Sequence, residues 1–155
     1  MSIKKPKVFK KRSDAPINAK LVDVFFSSLR ELFFIRNPWI KYRVGKPEKL
    51  LKNFIEENKS RNAWIYYPWN NYLINSVNED LYYELRTARN RNIITKGEQL
   101  KYRSAKVGIV GLSVGSTILS SLVMSGGPKT LKISDYDAVE ISNLNRIKAT
   151  LSDVG

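Results

Sequence analysis

KVGIVGLSVGSTILSSLVMSGGPKTLKISD, residues 106–135, reads as strand, turn, helix, turn and strand. Val107, Ile109 and Val110 make a short apolar run that stops at Gly111, and Ser113 to Met124 has the length and composition of a helix. Ser125-Gly126-Gly127-Pro128 breaks that helix, and Thr130 to Ser134 is a second β-prone run. Strands that alternate with a helix predict a parallel pair joined by a crossover, which places the segment in the α/β class. The expected architecture is the β-α-β opening of a Rossmann-like doubly wound sheet. Such a sheet needs several parallel strands covered on both faces, and the chain of 155 residues provides two of them, so it is expected to be the N-terminal part of its domain and inactive alone.

The turn between strand and helix is where chemistry is expected. In Gly111-Leu112-Ser113-Val114-Gly115-Ser116, glycines let the backbone bend sharply and bring N–H groups and the positive helix end against phosphates. Asp135 follows at the end of the second strand, where a carboxylate can accept hydrogen bonds from a ribose. The turn departs from the usual dinucleotide pattern, because Ser113 takes the place of the second glycine and the last glycine comes one position early. The same residues spell Gly-x-Ser-x-Gly, the nucleophile elbow of α/β-hydrolases. That elbow needs a histidine base, and the chain contains no histidine.

Further along stand Asp135-Tyr136-Asp137, Val139 and Ser142-Asn143-Leu144-Asn145-Arg146. This run after a glycine-turn β-α-β unit resembles the ThiF, MoeB and ubiquitin-activating group of adenylating enzymes, whose hallmark here is an aspartate-ended strand followed by Ser-Asn-Leu-x-Arg. The resemblance implies an ATP-binding sheet that activates a carboxylate as an acyl-adenylate and releases pyrophosphate, with the C-terminus of a ubiquitin-like or sulfur-carrier protein as a candidate substrate. It implies that Gly111, Ser113 and Gly115 shape the phosphate turn, that Asp135 holds the ribose, and that Asn143 and Arg146 reach the phosphates. An always-charged, forked guanidinium suits charge developing on departing pyrophosphate. Upstream, Arg89-Asn90-Arg91-Asn92-Ile93-Ile94 is similar to the Arg-Gln-Ile segment that precedes the first strand in this family. There the arginine matching Arg91 reaches into a partner subunit's ATP site, which implies a homodimer of the complete protein. Ser113, the shortened turn and Ile147 after the arginine mark a divergent branch. Magnesium is implied as well, but the family's catalytic lysine and magnesium-holding aspartate would fall beyond residue 155, so no metal ligand is assigned.

Residues 86–155 carry the resemblance, and residues 18–85 read as an α+β accessory region. In it, Leu21, Phe25, Leu29 and Leu32 recur at helical spacing after Asn18 as a cap, and Asn37-Pro38 ends that helix. Pro47 opens a second helix with Leu50, Leu51, Phe54 and Ile55 on one face, closing near Asn58. Ala63–Tyr67 and Tyr72–Val77 flank Pro68-Trp69-Asn70-Asn71 and predict a hairpin. Asn78 caps a helix carrying Leu81, Tyr82 and Leu85, and Thr95 with Glu98 forms a capping-box pattern for another. The tryptophans and most tyrosines lie in this part of the chain and are expected in its core rather than on a nucleic-acid surface.

The formal charge is +13, and residues 1–50 alone hold 13 basic and 4 acidic residues. Lys4, Lys5, Lys7, Lys10, Lys11 and Arg12 gather at the front, so residues 1–17 read as a solvated, mobile basic arm. That concentration argues against nucleic acid as the main partner. Cysteine is absent, which excludes disulfides, thiolate metal sites and a thioester-forming nucleophile within these residues. Asp23, Arg30 and Glu31 interrupt the apolar stretch 22–35, so neither a signal sequence nor a membrane span is expected there, and the protein is expected in the cytoplasm. Two readings compete with adenylation: a nicotinamide-dependent oxidoreductase using the same β-α-β unit, and a non-catalytic binding module that works through the basic arm.

Overall fold

The computed structural model describes residues 5–42 and 47–155, so Lys4 of the basic run lies outside the described residues. The chain divides into two compact units, residues 1–88 and 89–155. In the first, β1 (Lys7–Phe9) and β2 (Lys20–Asp23) precede the helices α1 (Phe25–Arg36) and α2 (Glu48–Asn58). The hairpin strands β3 (Asn62–Tyr67) and β4 (Tyr72–Val77) and the helix α3 (Glu79–Arg86) follow. The strands lie in the order β1-β3-β4-β2, with β2 parallel to β4 and the other pairs antiparallel. Asn71 closes the hairpin with φ of 57°, a left-handed conformation that asparagine tolerates better than most residues. Its carbonyl accepts the Lys20 N–H at 2.8 Å and its side chain donates to the Asn18 carbonyl at 3.1 Å, which brings β2 alongside the hairpin.

The core of this unit is made by Phe25, Leu29 and Leu32 of α1 against Val77 of β4 and Leu81 of α3, with Phe54, Ile55 and Leu85 packed on its rim. The spacing of the α1 residues puts them on one stripe of the helix, which is why that stripe is buried. At the far end of α1, Arg36 grips Glu84 of α3 through both carboxylate oxygens, at 2.9 and 2.6 Å. Donating to the Glu84 carboxylate raises the Arg36 pKa above its ordinary value.

Three expectations are corrected here. The helix expected from Asn18 begins only at Phe25: Lys20–Asp23 pairs in parallel with Tyr72–Asn75, and Leu21 is 56% exposed. Asp23 then ends the strand and starts the helix, since one carboxylate oxygen accepts the Phe25 N–H at 3.0 Å and the other accepts from the Asn75 amide at 2.9 Å. Within the stretch read as a mobile arm, Lys7–Phe9 forms an edge strand on β3, and Ala15 is buried. Backbone pairing with the hairpin satisfies the N–H and C=O groups that composition alone had assigned to water. Two of the three tryptophans are not core: Trp39 and Trp69 are 53% and 52% exposed, because one sits in the 3-10 turn after α1 and the other at the hairpin tip, while Trp64 on β3 is half-buried.

The second unit begins within the 3-10 turn Ala88–Asn92, at Arg89, and continues through α4 (Lys96–Ser104), β5 (Lys106–Val110), α5 (Ser113–Met124) and β6 (Thr130–Ser134). At the start of α4, Thr95 Oγ1 accepts the Glu98 N–H at 3.2 Å while the Glu98 carboxylate accepts the Thr95 N–H at 2.7 Å, the expected capping box. β5 and β6 run in parallel with Lys106 opposite Thr130 and Val110 opposite Ser134. The arrangement is alternating α/β with an open sheet, not a barrel. Two glycines let its layers approach. A Cβ at Gly115 would lie 2.9 Å from Ile109 Cγ2, so its absence lets the first turn of α5 press onto β5. At Gly127 a Cβ would stand 2.3 Å from the Leu122 carbonyl oxygen, in the turn that takes the chain from α5 toward β6.

Candidate functional site

The site is built where β5 and β6 end, because both strands deliver their last residues beside the start of α5. Gly111 makes the turn with φ of 87°, a conformation that strains any residue with a Cβ. Its N–H donates to the Ser134 carbonyl at 2.9 Å, which extends the β5-β6 contact by one residue. Asp135 completes the junction: one carboxylate oxygen accepts the Leu112 N–H and the other accepts the Asp137 N–H at 3.1 Å. These backbone donors, Leu112 first, hold the Asp135 carboxyl below the usual aspartate range, since they stabilise the ionised form. The carboxylate is solvent-exposed and each oxygen keeps room for a further donor.

The downstream motif returns to this turn. The 3-10 turn Ile141–Asn143 is closed by the Asn143 side-chain oxygen, which accepts the Glu140 N–H at 2.9 Å. The Arg146 N–H then donates to the Asn143 carbonyl at 3.1 Å. From there the Arg146 side chain crosses to the start of α5, and its Nε donates to Ser113 Oγ at 2.8 Å. Its Nη1 donates to the Ser142 carbonyl and to Asn145 Oδ1, each at 3.1 Å. Among the described residues no carboxylate pairs with Arg146, so its charge is not neutralised within the protein.

Thus Gly111, Ser113, Gly115, Asp135, Asn143 and Arg146 gather at one end of the two-stranded sheet. Asn143 serves the turn's own backbone through its carbonyl oxygen, a job its residue type did not disclose. Arg91 lies on the exposed 3-10 turn Ala88–Asn92. Its neighbour Asn90 is the anchor of that turn, donating to Gln99 Oε1 at 2.7 Å and to the Ser125 carbonyl at 2.9 Å. Buried Gln99 in turn donates to the Gly126 carbonyl at 3.3 Å, and Tyr102 shares a hydrogen bond with Ser125. The motif marks the arginine but not this network, because a lone asparagine between arginines carries no signal of its distant partners. Among the described residues no group of three or more His, Cys, Asp or Glu could hold a metal ion, and no helix is long and apolar enough to cross a membrane.

The open α/β unit thus carries at its strand ends a glycine turn, a clamped aspartate and an arginine with no acidic partner among the described residues. Residues 87–155 match the model of the ThiF family, so a ThiF-family segment is present in the chain. The chain is also 37% identical over 103 residues to uncharacterized protein MT1398 of Mycobacterium tuberculosis (strain CDC 1551 / Oshkosh), covering 66% of this chain and 14% of that protein. The chain therefore spans about one seventh of the length of that relative. The 103 aligned residues exceed the family segment, so the likeness continues into residues before 87. No solved structure matches.

Proposed function

We propose that the second unit is the nucleotide-binding opening of a Rossmann-like adenylating domain, and that the complete protein uses ATP to activate a carboxylate. The observation that carries this reading is the bond from Arg146 to Ser113, which joins the Ser-Asn-Leu-x-Arg run to the glycine turn, with no acidic partner for the arginine among the described residues. In the proposed step a carboxylate oxygen of the substrate attacks the α-phosphorus of ATP. The bond from that phosphorus to the bridging oxygen breaks, and pyrophosphate leaves with the electron pair. Arg146 would stabilise the charge that builds on the departing oxygens, where a fixed guanidinium acts most strongly. Gly111 and Gly115 would admit the phosphates to the turn, the amide nitrogen of Asn143 would add a donor, and Asp135 would accept from the ribose.

The donor set fits ATP as substrate. For magnesium the described residues offer no ligand cluster, so no step is assigned to a metal held by this chain. The substrate carboxylate is proposed to be the C-terminus of a ubiquitin-like or sulfur-carrier protein, and Arg91, on its exposed turn, is proposed to act toward a second protomer's site. In the complete protein, labelled pyrophosphate should exchange into ATP when the carboxylate partner is supplied. Arg146→Ala should slow that exchange by roughly 10²-fold or more, with a smaller loss in ATP binding, because the charge it meets is largest in the transition state. Tight NADH binding without affinity for ATP would replace this reading with a hydride-transfer one.

A further inference from the structure

Ser113 stands where glycine is usual in a phosphate turn, and the structure gives it a task that glycine could not perform. Its Oγ is the acceptor for Arg146 Nε at 2.8 Å, across 33 residues of chain. Without it the guanidinium would be held through Nη1 alone, by the Ser142 carbonyl and Asn145 Oδ1, and could swing about that nitrogen. With two nitrogens of a planar group anchored, the plane itself is set. Among the described residues Nη2 is then the nitrogen with no hydrogen-bond partner, and its two N–H donors keep a fixed position relative to the turn.

We propose that Ser113 is a positioning residue for Arg146, fixing the guanidinium so that Nη2 is presented to the phosphate end of the nucleotide. The proposal rests on the adenylation reading for the identity of the ligand, but the bond itself can be tested without it. In the 155-residue chain, the Arg146 Nε–H resonance, assigned by its loss in Arg146→Lys, should exchange slowly with solvent. Ser113→Ala should speed that exchange and Ser113→Thr, which keeps the hydroxyl, should restore it. Binding of ATP and of inorganic pyrophosphate should weaken about three- to tenfold in Ser113→Ala, the worth of one ordinary hydrogen bond. In an Arg146→Ala background the same serine change should have no further effect, which is the signature of a residue acting through the arginine.

An Nε–H resonance indifferent to Ser113→Ala would overturn the positioning role. So would equal losses from Ser113→Ala with and without Arg146, since the serine would then touch the ligand directly or act through the turn. Failure of the unmodified chain to bind either ATP or pyrophosphate, with the Nε–H response intact, would sink the nucleotide reading while leaving the bond established.

Discussion

Asp135 shows how one side chain can serve fold and site together. Its carboxylate ties the Leu112 N–H of the glycine turn to the end of β6, so a group expected to face a ribose is first of all a clamp on the turn. Because the donors favour the charged form, its pKa in the folded protein lies below the unfolded value of about 3.9. The sign follows: the clamp's contribution is fully present above the unfolded pKa and is lost as pH falls through the lower folded one. A carboxyl-carbon titration by NMR should therefore place Asp135 below ordinary aspartates, and the Leu112 amide should lose protection over that same acidic window. Titration of Asp135 at or above the ordinary value would mean that the clamp is not formed in solution. Gly111, at φ of 87°, was legible as a turn glycine from its place between strand and helix. The engagement of Asn143 by its own turn was not, since the identity of a hydrogen-bond partner depends on where the backbone goes.

Among the elements, α1 separates what periodicity can and cannot tell. Phe25, Leu29 and Leu32 were placed on one stripe by their spacing, and that stripe is the core. Phe26, equally aromatic, lies on the other side and is 57% exposed. Leu29→Ala should cost about 2–5 kcal/mol, since a fully buried side chain leaves both lost contacts and a cavity. Phe26→Ala should cost much less, in keeping with a position outside the packed stripe. Denaturant midpoints of the two variants decide the matter, and a Phe26→Ala loss as large as that of Leu29→Ala would show the stripe to be wrongly drawn. The start of α1 escaped the sequence because Leu21 satisfies the helical spacing while its backbone is claimed by β4. Pairing with a strand some fifty residues away outweighs a weak local preference.

For the molecule as a whole, burial is unevenly shared. Every buried apolar core side chain among the described residues, from Ala15 to Leu81, belongs to the first unit. The second unit exposes Val110, Val114, Ile118, Met124 and Ile133, and its two strands are paired on one edge each. Apolar surface and free strand edges favour association. Amide hydrogen exchange of the 155-residue chain should thus be slowest in α1 and β4 and faster in β5 and β6, and sedimentation should show self-association at rising concentration. Uniformly slow exchange through 106–135 in a monomer would contradict this division of stability.

The features determined by the sequence alone are those with local causes. The hairpin around Pro68 to Asn71, the Thr95 and Glu98 capping box, and the strand, turn and helix from Lys106 to Met124 follow from backbone sterics and hydrogen bonds within a few residues. Only the tertiary structure decided that Lys7–Phe9 and Lys20–Asp23 are strands, that the tryptophans at 39 and 69 stay outside the core, and that Arg146 meets Ser113. Each of these depends on groups far apart in the chain competing for the same backbone partners, apolar surface or hydroxyl, and such competition is resolved only when the chain has folded.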